Sequence, residues 1–331
     1  MKDLIKKLTG VAGPSGFEGE IRQAIREEVG RFANDLQEDH LGNLIIHAGK
    51  KSKDGMRIMV AGHMDEIGLI ATHIESQGFI RFTTTGEVNL DHLPGGRIRF
   101  VNGIAGVIAC EQVDSKKPIL DLNRMFIDIG STSSKDCPVR IGDTAAFEQP
   151  FLDLGHRLVA KALAGRVACA VMIEALRRLK PAKDEIVLVF TAQKEVGVRG
   201  ATTSAFSIDP TIGLSIDGTP AGDTPGEMRK SVLLGKGPAI KVRDRNLLAH
   251  PGVIRWMEDT AKRKRLPYQM EVLENGTSDA SAIQLTRAGI PVGGISIPCR
   301  YIHSPAEMMD MGDVEQAVDL LVALLEKPIR L

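Results

Sequence analysis

Met56-Arg57-Ile58-Met59-Val60-Ala61-Gly62-His63-Met64-Asp65-Glu66 passes without a break from a short apolar run into a cluster of polar, potentially ligating side chains. A run of this length bounded by Gly reads as a buried strand, and it places His63 and Asp65 just past its carboxyl end. The same arrangement recurs. The apolar run Ile186 to Thr191 leads to Lys194 and Glu195, Thr211 to Ile216 leads to Asp217, and Val292 to Ile297 leads towards His303. Open α/β sheets bind ligands beyond the carboxyl ends of their strands, so residues far apart in sequence can converge there in one crevice. Two imidazoles and three carboxylates in such a crevice would suit zinc, cobalt or manganese. Taken alone, the spacing leaves open the alternative that these are ordinary polar residues ending strands.

Helical patterns alternate with these strands. Val167, Val171, Ala175 and Leu179 mark one helix, and further helices are predicted over Pro251 to Arg265, Asp279 to Ala288 and Asp313 to Leu325, with a strand near Gln269 to Leu273. Near the start, Ser15-Gly16-Phe17-Glu18 has the capping-box pattern and precedes apolar residues at Ile21, Ile25, Val29 and Phe32, which predicts a helix from about residue 16. Between these α/β parts the character changes: short β-like runs at Phe79 to Thr83, Ile98 to Val101, Gly106 to Ala109 and Met125 to Ile129 are separated by Gly, Asn and Asp. The expected fold class is therefore α/β, a mixed sheet with a large parallel part flanked by helices and an inserted small β-rich domain. Residues 1–68 and 157–331 would form the discontinuous main domain and 69–156 the insertion.

Forty-two basic side chains balance forty-two acidic ones, which gives no net field for nucleic acid or an anionic membrane. No run of about 18 apolar residues and no leader-like start is present, so a cytoplasmic location is expected. Cys110, Cys137, Cys169 and Cys299 lie far apart without a CxxC pair and read as reduced structural thiols. His92 could supply a compensating ligand from the insertion but reads more readily as a solvated loop residue, and Glu66, Asp223 and Asp279 could contact substrate, although capping or loop bonding explains them equally well. The run Lys262-Arg263-Lys264-Arg265 reads as the basic end of a helix.

Four ordered motifs narrow the function. Ala61-Gly62-His63-Met64-Asp65-Glu66-Ile67-Gly68, Gln193-Lys194-Glu195-Val196-Gly197-Val198-Arg199-Gly200-Ala201, Asp217 with Ala221-Gly222-Asp223-Thr224-Pro225, and Arg300-Tyr301-Ile302-His303-Ser304-Pro305 together resemble the tetrahedral metalloaminopeptidase family. That family includes glutamyl and deblocking aminopeptidases and proteins labelled endoglucanase or cellulase M. The likeness extends to Gly13-Pro14-Ser15-Gly16 and Leu41-Gly42-Asn43-Leu44. It implies removal of N-terminal residues from short peptides, two metal ions, and an inserted domain that mediates assembly from dimers to hollow dodecamers. By resemblance His63 and Asp217 would hold one metal, Glu195 and His303 the other, and Asp65 would orient the His63 imidazole.

Two positions depart from the family pattern. Lys161-Ala162-Leu163-Ala164-Gly165-Arg166-Val167 matches Lys-Ala-Leu-Asp-Asp-Arg-Val, whose first Asp bridges both metals; here it is Ala164. Gln193-Lys194-Glu195 matches Gln-Glu-Glu, whose first Glu is the general base; here it is Lys194. A methyl group has no lone pair, and an ammonium among carboxylates holds its proton. With Asp65, Glu195 and Asp217 facing Lys194, three negative charges meet one positive, and a single divalent ion would neutralise the rest. The expectation is one divalent metal or none per chain, with Lys194 replacing the other electrostatically. Three functions follow from these readings: a metal-dependent aminopeptidase; a catalytically impaired subunit that binds peptides or assembles with itself or an active paralogue; and, remotely, a glycoside hydrolase, which one Trp and two Tyr serve poorly as sugar-stacking platforms.

Overall fold

A computed structural model describes residues 1–32, 35–49, 55–111, 121–180, 184–226 and 231–329. Two helices, α1 (Lys2–Gly10) and α2 (Gly19–Val29), precede strands β1 (Asp35–Glu38), β2 (Leu44–Gly49) and β3 (Arg57–His63). The chain then enters β4 (Gly68–Ile74), β5 (Ile80–Thr85), β6 (Arg97–Phe100), β7 (Ala105–Cys110), β8 (Met125–Asp128) and β9 (Thr144–Phe147), which close into a small barrel in the order β4-β5-β8-β7-β6-β9. Alternating inward residues such as Leu69, Ile80, Phe82, Ile98, Phe100, Ile108 and Ile127 fill it with a core of its own.

The chain returns through β10 (Leu152–Asp153), β11 (Arg157–Ala160), α3 (Leu163–Arg178), β12 (Glu185–Thr191), α4 (Arg199–Ile208), β13 (Ile212–Pro220) and β14 (Ala239–Arg243). It ends with α5 (Pro251–Lys264), β15 (Gln269–Val272), α6 (Asp279–Gln284), β16 (Val292–Arg300), β17 (Glu307–Asp310) and α7 (Met311–Glu326). The body sheet runs β1-β2-β12-β3-β13-β16-β17-β11-β10, with β14 pairing β16 and β15. Its centre, β12-β3-β13-β16, is parallel, and both margins are antiparallel. The sheet is therefore the expected mixed α/β architecture, its four central parallel strands carrying the candidate site at their ends, with β14 and β15 as a further parallel pair.

Those central strands are apolar on both faces because helices cover both. Ile58, Val60, Ile186, Leu188 and Phe190 face the layer that contains α3 and α7. Met59, Ala61, Val187 and Val189 face Ala205 and Ile208 of α4 and Ile283 of α6. Between the layers the parallel register sets Thr191 beside His63 and Asp217 beside Ser296, which aligns the carboxyl ends along one edge.

The capping-box expectation at Ser15 is not met. α2 starts at Gly19 with no side-chain cap; Ser15 Oγ instead donates to Asp65 Oδ2 at 2.6 Å, and Glu18 accepts from the amides of Gly16 and Gln193. A tertiary carboxylate outcompetes the local cap. Phe32 also lies outside the helical face, half-exposed with the Arg177 guanidinium 5.8 Å from its ring.

Candidate active site

The edge formed by β3, β12, β13 and β16 opens into a cavity of about 810 Å³ whose lining includes Lys194, Glu195, Asp217 and His303. His63 lies beneath it, buried, with Nδ1 3.1 Å from the Asp65 carbonyl oxygen and 3.4 Å from Asp65 Oδ1. Asp65 is itself fixed: its carboxylate accepts from the amides of Lys194 and Glu195, both at 3.0 Å, and from Ser15. The His63 ring is placed by Gly165. A Cβ at residue 165 would stand 2.5 Å from His63 Cε1, so the imidazole fills space that any side chain there would claim. Gly165→Ala is expected to cost about 1–3 kcal/mol by overpacking. Urea unfolding measures it, and a change below about 0.5 kcal/mol would mean the ring gives way freely.

The other face of the imidazole meets the acidic pair. Nε2 lies 3.3 Å from Asp217 Oδ1 and 3.7 Å from Glu195 Oε1, yet makes no hydrogen bond of acceptable geometry. Lys194 reaches into the same space, with Nζ 3.2 Å from Asp217 Oδ2 and 3.3 Å from Glu195 Oε1. Burial opposes its positive charge, but Asp217 and Glu195 outweigh that and raise its pKa above the ordinary lysine range. Lys194 is thus a held ammonium and has no lone pair with which to accept a proton. The converse holds for Asp217: burial alone would favour its neutral form, and Lys194 and His63 reverse this, depressing its pKa. For His63, burial and Lys194 disfavour the imidazolium, while Asp217 and Asp65 over-compensate and raise its pKa to about 10. A second orphan lies nearby: Asp279 Oδ2 accepts from the Thr191 hydroxyl at 2.6 Å, whereas its buried Oδ1 has no partner among the described residues.

Ala164 sits in the first turn of α3, its methyl against Gly218 and therefore beside Asp217, and its amide donates to Glu307 Oε2. His303 lines the cavity but stands apart from Glu195. Its amide donates to Glu307 Oε1 at 2.9 Å, and its ring Nδ1 lies 3.9 Å from Oε2 of Glu87 of the barrel. The loops carrying these residues hold non-glycine side chains at positive φ, at Ala162, Gln193, Val198, Tyr301 and His303. Such strain, about 1–3 kcal/mol per residue, persists where surrounding contacts over-determine a geometry.

A pair of metal ions does not fit these residues. Among the described residues no group of three or more His, Cys, Asp and Glu side chains is arranged to hold a metal. The reason is visible: the Lys194 ammonium lies between the carboxylates that would do so, and residue 164 offers them only a methyl. His63 Nε2, buried and without a hydrogen-bond partner, faces the same two carboxylates, Asp217 and Glu195.

Three features were missed by reading the sequence. Glu66, taken as a capping or loop carboxylate, is the hub of a buried network, bonded by Lys161 Nζ at 2.7 Å and by Arg166 Nη2 at 3.2 Å. Asp223 forms a bidentate ion pair with Arg300. The barrel also reaches the site, because Gly86, at φ +89°, passes so close to Glu195 that a Cβ there would lie 3.0 Å from Glu195 Cβ. Only the clustering of Glu66 with the matched Lys161-to-Val167 segment could have hinted at the first.

Comparison with known proteins accords with this geometry. A protein of Acetivibrio thermocellus is 48% identical over 324 residues, spanning 97% of both chains. An aminopeptidase of the archaeon Desulfurococcus kamchatkensis superposes with a TM-score of 0.93 at 39% identity, covering 98% of this chain and 94% of its own. The TET1 peptidase of Pyrococcus horikoshii, described as able to assemble into a tetrahedron or a large octahedral shell, gives 0.88 at 30% identity, with 98% and 99% covered. The profile described as M42 glutamyl aminopeptidase matches residues 42–320, and the chain belongs to that family.

Proposed function

We propose that this chain retains the peptide cleft of an M42 aminopeptidase but fills one metal position with its own ammonium, so that it binds peptide N-termini and hydrolyses them slowly or not at all. The observation that carries this is the bridging contact of Lys194 Nζ with Asp217 and Glu195 at 3.2 and 3.3 Å. One ammonium supplies a single positive charge and cannot polarise a carbonyl as a divalent ion does. Ordering this cluster without metal leaves a cavity floor that is still acidic, suited to the α-ammonium of a peptide. Asp217 and Glu195, already shared with Lys194, are left able to hold at most one divalent ion, and that weakly. Self-assembly, in the manner of the relative that forms a tetrahedron or octahedral shell, and with the barrel as its mediator here, is part of the same proposal, as is a cytoplasmic location; no helix among the described residues is long and apolar enough to cross a membrane.

Metal content per chain after equilibration with zinc, cobalt or manganese, with an aminoacyl-anilide assay on the same samples, tests the reading. One metal or none is expected, with turnover about 10²–10⁴-fold below that of a family member carrying both carboxylates. Calorimetry should show binding of a free tripeptide and none of its N-acetylated form. Two tightly held metals with turnover would overturn the proposal.

A further inference from the structure

The loop that carries Lys194 and Glu195 is shaped from outside. It runs from Ala192, after β12, to Val198, before α4. Its second half folds on the carbonyls of its first: the amides of Gly197 and Val198 donate to the Lys194 carbonyl oxygen, that of Arg199 to Gln193 and that of Gly200 to Ala192. The first half is held differently. Four consecutive amides each donate to a side chain from a remote part of the chain, Ala192 to Asn43 Oδ1 at 2.9 Å, Gln193 to Glu18 Oε1 at 3.0 Å, and Lys194 and Glu195 to Asp65 Oδ1 and Oδ2, both at 3.0 Å. Gln193 has φ +54°, a conformation that a residue with a Cβ adopts only where its surroundings impose it.

Two of these three acceptors, Glu18 and Asn43, are outside the cluster described above. Glu18 is buried just before α2, and its Oε1 also takes the Gly16 amide at 2.9 Å. Asn43 is buried just before β2 and spans the loop, because its Nδ2 donates to the Gly200 carbonyl oxygen at 3.1 Å while its Oδ1 holds Ala192. The fit leaves no slack, since a Cβ at residue 200 would collide with Asn43 Oδ1. Lysine is a compact charge on a flexible four-carbon stem, so the direction in which its backbone launches that stem decides which carboxylates it meets. Here it meets Asp217 and Glu195.

We propose that Glu18 and Asn43 are positioning residues: by accepting the amides of Gln193 and Ala192 they aim the Lys194 side chain between Asp217 and Glu195 and so keep the cleft able to hold a peptide N-terminus. Lys194 lines the cavity, and an ammonium freed from its carboxylates would stand where the α-ammonium of a peptide must lie. The effect on peptides rests on the peptide-binding reading above, whereas the placement of Lys194 does not.

Crystal structures of the full chain and calorimetry with Leu-Ala-Ala, on Glu18→Ala, Glu18→Gln and Asn43→Ala, test it. Alanine at residue 18 removes the acceptor, and glutamine keeps an acceptor oxygen without the charge. In both alanine variants Lys194 Nζ should leave at least one of Asp217 and Glu195, and Leu-Ala-Ala affinity should fall about tenfold; in Glu18→Gln both contacts should persist and affinity should stay within about twofold of the unaltered chain. Ile127→Val, in the core of the barrel, gives the comparison for a loss of stability alone, with a lowered thermal midpoint and unchanged affinity. Should one alanine variant not fold, the other carries the comparison. Lys194 found between Asp217 and Glu195 in the alanine variants, or displaced as far in Glu18→Gln, overturns the inference. No binding of Leu-Ala-Ala by the unaltered chain overturns the peptide-binding reading instead, and the position of Lys194 in the variants then decides this inference alone.

Discussion

Converting Lys194 to glutamate together with Ala164 to aspartate is expected to raise aminoacyl-anilide hydrolysis by about 10²-fold or more and to bring bound divalent metal to about two ions per chain. The argument is electrostatic before it is catalytic. Three carboxylates, Asp65, Glu195 and Asp217, now share Lys194 and the readily protonated His63. The double substitution removes the ammonium and adds two carboxylates, and five buried negative charges cannot stay ionised without counter-charge. Divalent ions supply it. The variant should therefore be much less stable than the parent when stripped of metal and should regain stability steeply as zinc, cobalt or manganese is added. The unaltered chain should show little metal dependence of its unfolding midpoint. Lys194→Glu alone should gain metal affinity with little turnover, because residue 164 would still present a methyl to the site. If the double variant gains neither metal nor activity, the assignment of residues 164 and 194 to the bridging and base positions is wrong.

What could be read in the sequence follows physical range. The parallel strands were legible because covering both sheet faces demands unbroken apolar runs, as in Ile186 to Phe190. His63, Asp65, Lys194, Glu195 and Asp217 were legible as a set because such strands end along one edge, and the structure brings these five together. His303 shares the cavity but leans towards Glu87, a barrel residue that no strand-end argument could supply. The antiparallel margin was hidden for a different reason: strands as short as Glu307–Asp310 and Leu152–Asp153 carry too few residues for alternation to show. Ser15 misled because a capping box is a local pattern, and the Asp65 carboxylate that claims its hydroxyl is fifty positions away. The roles of Ala164 and Lys194 required the family pattern; their consequence, an ammonium between two carboxylates, required only charge.

Glu66→Gln is expected to destabilise the chain by about 3–5 kcal/mol, the largest stability effect of a single substitution outside the apolar core. Glu66 is buried at the end of β3 and accepts from Lys161 Nζ through both oxygens at 2.7 Å, from Arg166 at 3.2 Å and from the Gly13 amide at 2.9 Å. It therefore ties the segment after α1 and the start of α3 to the strand that carries His63. A glutamine keeps the volume but removes the charge, leaving two buried cations facing each other. Burial and Arg166 already hold the Lys161 pKa below its ordinary value against the pull of Glu66. Without that pull it drops further, so the folded state binds fewer protons than the unfolded chain. Stability of the variant should then rise with pH through the window between the folded and unfolded lysine pKa values, and fall as pH is lowered. Urea midpoints at several pH values give both the size and the slope. The exposed pair Arg99–Glu148 serves as the contrast: Glu148→Gln should change stability by less than about 1 kcal/mol, because water already screens those charges. An equally small effect at Glu66 would mean that water or a rearranged hydrogen bond satisfies Lys161 and Arg166, and that the network does not hold the floor of the site in place.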